Sequence, residues 1–305
     1  MKHISLFAGI GGFDLASEEM GWQNIASCEI NSFGNKVLNH YWPNAYHHED
    51  IKTFTYQKLD EELTKRFGEK WRTDDIVLTG GFPCQPYSVA GKQLGTEDER
   101  HLWPEMLRAI REIQPTYVVG ENVRGLINWN GGMVFEQVQT DLETEGYEVI
   151  AFVLPACGVN APHRRDRVWF VAYSSSFRNQ RHRHKLGEFS KLRQGWAYNE
   201  KIGHDEKEGL LVTPNPYSGR QPCKEHGQED AGWIAEKGVS DNWANFPTQS
   251  PIRGGNDGIP EGLVNITFPK WRNESIKAFG NAIVPAVALQ IFKSIQNHKD
   301  EQAQL

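Results

Sequence analysis

Asp75-Ile76-Val77-Leu78-Thr79-Gly80-Gly81-Phe82-Pro83-Cys84-Gln85-Pro86-Tyr87-Ser88-Val89-Ala90-Gly91 opens as a short apolar run and breaks off in glycines and prolines. The run from Asp75 to Leu78 predicts a buried strand. Pro83 and Pro86 have fixed φ and no amide donor, and each pushes its predecessor away from helical geometry. Cys84 is therefore expected on a stiff, non-helical turn at the carboxyl end of a strand, the edge where open α/β sheets bind ligands. A cysteine is most often a small buried hydrophobe. On this turn Cys84 reads instead as a presented nucleophile.

Working outward toward the N-terminus, His3 to Phe7 predicts a first strand, followed by Ala8-Gly9-Ile10-Gly11-Gly12-Phe13-Asp14-Leu15. Glycines between a strand and a helix either form a plain tight turn or let the backbone approach a ligand closely. A second strand, Asn24 to Ile30, carries Glu29 near its tip, about 20 positions after the glycines, a place that suits a ribose diol. Asp50, in His48-Glu49-Asp50-Ile51, stands where it could accept from an adenine amino group. Singly, such acids are solvated surface charges; at successive strand ends they point to an adenosyl cofactor. No Gly-x4-Gly-Lys-Ser/Thr loop is present, which disfavours ATP.

Toward the C-terminus, Gly91 to Arg100 is polar, glycine-punctuated and long for a connection, the pattern of a mobile lid. His101 to Ile113 predicts a helix with Leu102, Met106, Leu107 and Ile110 as core. Pro115 to Val123 predicts a strand ending in Glu121, a carboxylate that burial makes costly unless it is paired or functional. Met133 to Glu145 predicts a helix and Tyr147 to Leu154 a strand. In Ala161 to Ala172, Arg165 and Arg167 enter an apolar strand, where period 2 would set both guanidiniums on one face. They could form a structural ion pair, hold an anion or polarise a carbonyl.

The chain has 305 residues, 38% hydrophobic and 24% charged, enough for a large domain with or without a smaller one. A net charge of −6 argues against a protein coated in positive charge but leaves room for a local phosphate-binding patch. The four cysteines, at 28, 84, 157 and 223, form no CxxC pair. That spacing fits a reducing, cytoplasmic setting and argues against structural zinc. The N-terminus has no extended apolar signal region, and no run approaches the roughly 18 apolar residues of a membrane span.

Taken together, these stretches resemble the DNA cytosine-5 methyltransferases that use S-adenosyl-L-methionine. The resemblance rests on Phe7-Ala8-Gly9-Ile10-Gly11-Gly12, Glu29, Asp50, Gly81-Phe82-Pro83-Cys84-Gln85-Pro86, Glu121-Asn122-Val123, Arg165-Asp166-Arg167 and Gly280-Asn281-Ala282-Ile283-Val284-Pro285, in the family's order. It covers residues 1 to 172 and about 270 to 293. It implies an α/β fold, a Rossmann-like S-adenosylmethionine-dependent methyltransferase sheet with helices on both faces, and a smaller irregular target-recognition domain. The catalytic domain would comprise 1–172 and 263–305, and the recognition domain 173–262. The resemblance also implies Cys84 as nucleophile and Glu121 as the group that hydrogen-bonds the base. Arg165 would contact the base carbonyl or orient the Cys–Glu pair, with Arg167 in support. Phe7, Gly9, Gly11, Gly12, Glu29, Asp50, Ile51, Pro83 and Asn281 would surround the cofactor. Ser88 and Arg100 would lie near the DNA backbone, and residues 84 to 100 would close over an extruded cytosine.

Between Tyr173 and about Gln249 the composition shifts. Phe177 to Trp196 carries Arg178, Arg181, Arg183, Lys185, Lys191 and Arg193 against Glu188 alone, interleaved with aromatics. Such a run is a solvated face or a phosphate-contacting one. Asn281 to Ile295 then predicts a helix packing on the first domain near the cofactor. Three places depart from the family's pattern: His163 where Gln is common, Ala90 for a common Ser, and no Thr-Pro-Arg-Glu around Ser250 to Pro260. The expected partner is double-stranded DNA, with the chain a monomer and any cognate restriction endonuclease acting separately. Open alternatives are the tRNA-directed branch of the same family, a catalytically silent DNA-binding relative and, more distantly, a nicotinamide oxidoreductase.

Overall fold

A computed structural model describes residues 1–83, 102–175, 210–212 and 271–304. Cys84, Ser88, Arg100, the expected lid and nearly all of the expected recognition region lie outside these residues.

Among the described residues eight strands form one sheet in the order β3-β2-β1-β4-β5-β7-β6-β8. They are β1 (Lys2–Leu6), β2 (Gln23–Cys28), β3 (Tyr46–His48), β4 (Ile76–Gly80), β5 (Tyr117–Val123), β6 (Tyr147–Leu154), β7 (Arg167–Ser174) and β8 (Leu210–Val212). The first five run parallel. β7 enters antiparallel between β5 and β6, with Glu121 opposite Trp169 and Val123 opposite Arg167. β1 and β4 are buried at every position, as strands covered on both faces must be. β8, drawn from the interval after Tyr173, adds parallel to β6 at the sheet edge.

Helices cover both faces. α1 (Gly12–Glu19), α2 (Ser32–Tyr41), α3 (Tyr56–Phe67), α4 (Trp103–Ile113) and α5 (Met133–Thr144) follow successive strands, and α6 (Trp271–Asn281) and α7 (Pro285–Gln304) close the chain. On one face Leu59 and Leu63 of α3, Met106 and Ile110 of α4, and Val138 and Leu142 of α5 pack with Ile4, Leu78 and Val118. On the other, Val287, Ile291, Phe292 and Ile295 of α7 pack with Phe13, Trp22, Val77, Val119 and Trp169. Phe292 stacks on Trp22 at 4.8 Å between ring centres.

Two helix expectations shift. α4 buries Trp103, Met106, Ala109, Ile110 and Ile113, while Leu102 becomes its cap residue and Leu107 is only partly buried. The expected helix from Asn281 is two helices, broken at 282–284. Pro285 is the cause: it cannot sit inside a helix but suits its first position, and it bars Val284 from helical geometry. Asn281 therefore closes α6 instead of opening α7.

Candidate active site

The strand order reverses at β1: the chain moves outward through β2 and β3, then returns to place β4 on the other side of β1. Crevices for ligands form at the carboxyl ends of strands flanking such a reversal. The tips of β1 to β5 converge there, and the antiparallel β7 begins at the same edge.

At the β1 tip, Phe7 adopts φ 52, a left-handed conformation that side-chain-bearing residues rarely adopt, with Gly9 at φ 59 and Gly11 at φ 85. The glycines have different reasons. A Cβ on Gly11 would stand 2.3 Å from the Trp42 ring, and one on Gly12 would stand 2.7 Å from Ile283 Cγ1. Both are required by packing inside the protein. Gly9 faces open space, with no atom within 4 Å of where a Cβ would stand. The backbone accessible to a ligand is therefore at Gly9.

Glu29, just past β2, fixes this loop. Its Oε2 accepts from the Gly9 N–H and its Oε1 from the Asn31 N–H, each at 2.7 Å. Burial raises its pKa, and these two backbone donors oppose the rise. Gly34 of α2 completes the fit, because a Cβ there would stand 2.4 Å from the Gly9 carbonyl. Ile30 beside Glu29 is 74% exposed, a large apolar side chain facing solvent at a strand tip. Asp50 caps a short turn at Ile51–Thr53, accepting from the Lys52 N–H at 2.9 Å, and Ile51 is buried.

The β4 and β5 tips are joined by Asn122, which is 2% exposed and donates from Nδ2 to the Phe82 carbonyl at 3.0 Å. Phe82 itself is buried against Trp103, and Pro83 follows, half-buried. Glu121 points to the opposite face from Asn122. Its Oε1 accepts from Arg167 Nε at 2.9 Å, and its Oε2 lies against Gly81, where a Cβ would approach to 3.2 Å. The carboxyl therefore bridges the start of β7 and the turn that leads to Cys84. Burial raises its pKa, with Arg167 and then Arg165 pulling it back.

Arg165 differs from the expected alternation. It precedes β7 in a left-handed conformation at φ 39, and its guanidinium donates to the Gly280 and Ala282 carbonyls. It thus ties the end of α6, where Asn281 sits, to the β7 entry. Arg165 and Arg167 do line one small cavity, with Glu121, Trp169, Ile283 and Val284. Arg167, not Arg165, carries the direct ion pair with Glu121. Asp166 between them pairs with Arg164 at 2.9 Å and Arg124 at 3.3 Å.

The described cysteines make poor nucleophiles. Cys28 is buried and its thiol is pushed up to about 12 by burial; burial also raises Cys157. Among described residues no group of three or more His, Cys, Asp or Glu could hold a metal ion, and no helix is long and apolar enough to cross a membrane. Sequence reasoning quoted Asn122 without a role and passed over Ile30 and Gly34. Only an apolar residue at a strand tip signalled Ile30, and nothing local marked Gly34, whose constraint lies in a neighbouring loop.

Residues 1–229 match the family described as C-5 cytosine-specific DNA methylase. The chain is 34% identical over 172 residues to the type II methyltransferase M.HgiCII of Herpetosiphon aurantiacus, covering 56% of this chain and 36% of that protein. It is 30% identical over 181 residues to the type II methyltransferase M.HhaI of Haemophilus parahaemolyticus, covering 59% and 51%. The matches thus span between 36% and 51% of these relatives' length. Among solved structures, that of the Entamoeba histolytica methyltransferase EhMeth shares the fold, with a TM-score of 0.52 over 96% of this chain and 97% of that one at 15% identity.

Proposed function

Because the chain belongs to the C-5 cytosine-specific DNA methylase family, we propose that it methylates carbon 5 of a cytosine flipped from duplex DNA. The observation that carries this reading is the Glu121 carboxyl, held between Arg167 and Gly81 at the strand edge from which the Cys84 turn departs. S-adenosyl-L-methionine would supply the methyl group as a sulfonium. The residues present fit it: Gly9 leaves open space, Ile30 offers an apolar surface to the adenine, and Glu29 and Asp50 stand at successive strand tips. Phe7, Ile51, Pro83 and Asn281 complete the proposed surround, with Gly11 and Gly12 shaping the loop from behind.

Cytosine carbon 5 is a poor nucleophile until a bond forms at carbon 6. Cys84 as thiolate forms that bond, and the electron pair of the 5,6 double bond becomes available at carbon 5. Glu121 hydrogen-bonds the ring nitrogen and the exocyclic amine; burial raises its pKa toward the form that can donate a proton, and Arg167 opposes that rise. Arg165, anchored against α6, contacts the base carbonyl or orients the Cys–Glu pair, and Arg167 supports it through its pair with Glu121. Once carbon 5 carries the methyl group, loss of its proton and expulsion of Cys84 restore the ring. Asn122 fixes the Phe82 carbonyl, and so the start of the turn on which Cys84 rides.

The proposal extends to a recognition domain over 173–262, with Ser88 and Arg100 on the DNA backbone. It further comprises a monomer acting in the cytoplasm, and a restriction endonuclease, where one is present, acting apart. The test is base-resolution mapping of 5-methylcytosine in DNA from cells expressing the wild-type chain or Cys84→Ala. Methylation at one short motif, lost in the variant, is expected. A folded, cofactor-binding chain that leaves DNA unmethylated and methylates tRNA would overturn the DNA reading. Glu121→Gln should lower kcat by about 10²- to 10⁴-fold, the usual worth of a general acid–base group, with cofactor binding retained.

A further inference from the structure

α4 touches two corners of the site. Its first residue, Trp103, follows directly on the segment after Cys84, packs its ring on Phe82 at 5.0 Å and donates to Asp141 at 2.7 Å. Five residues on, Arg108 reaches the other corner. Its Nη2 donates to the Ile51 carbonyl at 2.7 Å and its Nη1 to the Phe54 carbonyl at 2.9 Å. Glu105 and Glu112 on the same helix aim the guanidinium, at 2.8 and 2.9 Å. Glu112 also accepts from the Tyr56 N–H at 2.9 Å, so α4 grips the chain from Ile51 to Tyr56 at three backbone points.

That grip is unlike an ordinary surface ion pair. The turn it holds begins at Asp50, whose carboxylate already caps the turn through the Lys52 N–H. Ile51 and Phe54 are buried beneath it, 4% and 1% exposed. The rigid planar fork of an Arg can serve two carbonyls at fixed separation, which a Lys ammonium on its flexible stem cannot reproduce. A neutral side chain would leave both carbonyls without this donor and free the turn to rotate Asp50.

On the methyltransferase reading, we propose that Arg108 is a positioning residue for the cofactor. It sets the Asp50–Ile51 corner that receives the adenosyl group and ties that corner to the helix leading out of the catalytic segment. It touches neither base nor cofactor, so its effect falls on cofactor affinity and not on the chemical step.

The test is titration of the full chain with S-adenosylhomocysteine by calorimetry, together with KM for S-adenosylmethionine and kcat on duplex DNA, for wild type, Arg108→Gln, Arg108→Lys and Arg111→Gln. Arg108→Gln should weaken binding by about tenfold, the scale of losing hydrogen bonds from a charged donor. Its KM should rise in parallel while kcat stays within about twofold. Arg108→Lys, which keeps charge and solubility, should show most of the same loss. Arg111→Gln, on the same helix but paired with Glu145 away from the turn, should bind like wild type. Arg108 variants that bind within about twofold of wild type, whatever their melting temperature, would overturn the proposal and leave Arg108 a merely structural residue. Where Arg108→Gln fails to fold, Arg108→Lys decides. A wild-type chain that takes up no S-adenosylhomocysteine would bring down the methyltransferase reading and this proposal with it; loss confined to the variants leaves that reading intact.

Discussion

Asp14 is 2% exposed on α1, with its Oδ1 3.9 Å from the ring of His3, which is fully buried. Burial lifts the Asp14 carboxyl to about 7 and holds His3 down to about 4, the latter opposed by the Asn24 hydrogen bond. The signs are opposite. Asp14 binds its proton more tightly folded than unfolded, so its contribution is full below about 4 and is lost as pH rises through about 7. His3 is neutral in the fold, so its contribution is present above about 6.5 and lost as pH falls toward about 4. Asp14→Asn removes only the alkaline loss. Its melting temperature should gain on wild type between pH 5 and pH 8; parallel melting curves across that range would assign the loss elsewhere. Glu121 was legible as a carboxylate at a buried strand end. Its partner was not: Arg165 and Arg167 are equal candidates by spacing, and the left-handed turn at Arg165 sends one guanidinium to α6 and the other to Glu121.

At the scale of elements, the loop from Phe7 to Gly12 shows how one glycine string serves two purposes. Gly11 is wedged against Trp42 of the turn after α2 and has φ 85, so Gly11→Ala combines steric overlap with a disfavoured backbone. Unfolding in urea should show it less stable by about 1–3 kcal/mol, the usual cost of overpacking. Gly9→Ala meets no protein atom and carries only the backbone strain of φ 59, so its larger effect should be on S-adenosylhomocysteine affinity. Equal effects of the two on binding and stability would refute this division. Strands β1, β2 and β4 to β7 were legible as short runs with apolar residues ended by turn residues. β3, Tyr46-His47-His48, carries no apolar pattern and is made a strand by pairing with β2. The break between α6 and α7 was less so. Apolar residues at 283, 284, 287, 288, 291 and 295 keep helical spacing straight across it, and only the geometry before Pro285 interrupts the chain.

For the whole molecule, a net charge of −6 must coexist with binding to a polyanion on the proposed reading. The basic run from Arg178 to Arg193 is the natural place for phosphate contacts. Replacing its Arg and Lys residues with Gln should weaken duplex binding at every sequence and flatten the fall of affinity with salt. Uptake of S-adenosylhomocysteine should not change. An unaltered salt slope would remove this segment from the DNA contact. The amino-acid sequence by itself determined the alternation of strands and helices, the acids at the strand tips and the residues of the Cys84 turn, because these are set by local periodicity and by proline and glycine sterics. Tertiary structure alone decided that β7 runs antiparallel between β5 and β6, that Arg167 pairs with Glu121, that Asn122 holds Phe82 and that Arg108 grips the turn after Asp50. Each of these joins residues far apart in the chain, and only the sheet order, itself a product of burying both faces at once, brings them within hydrogen-bonding distance.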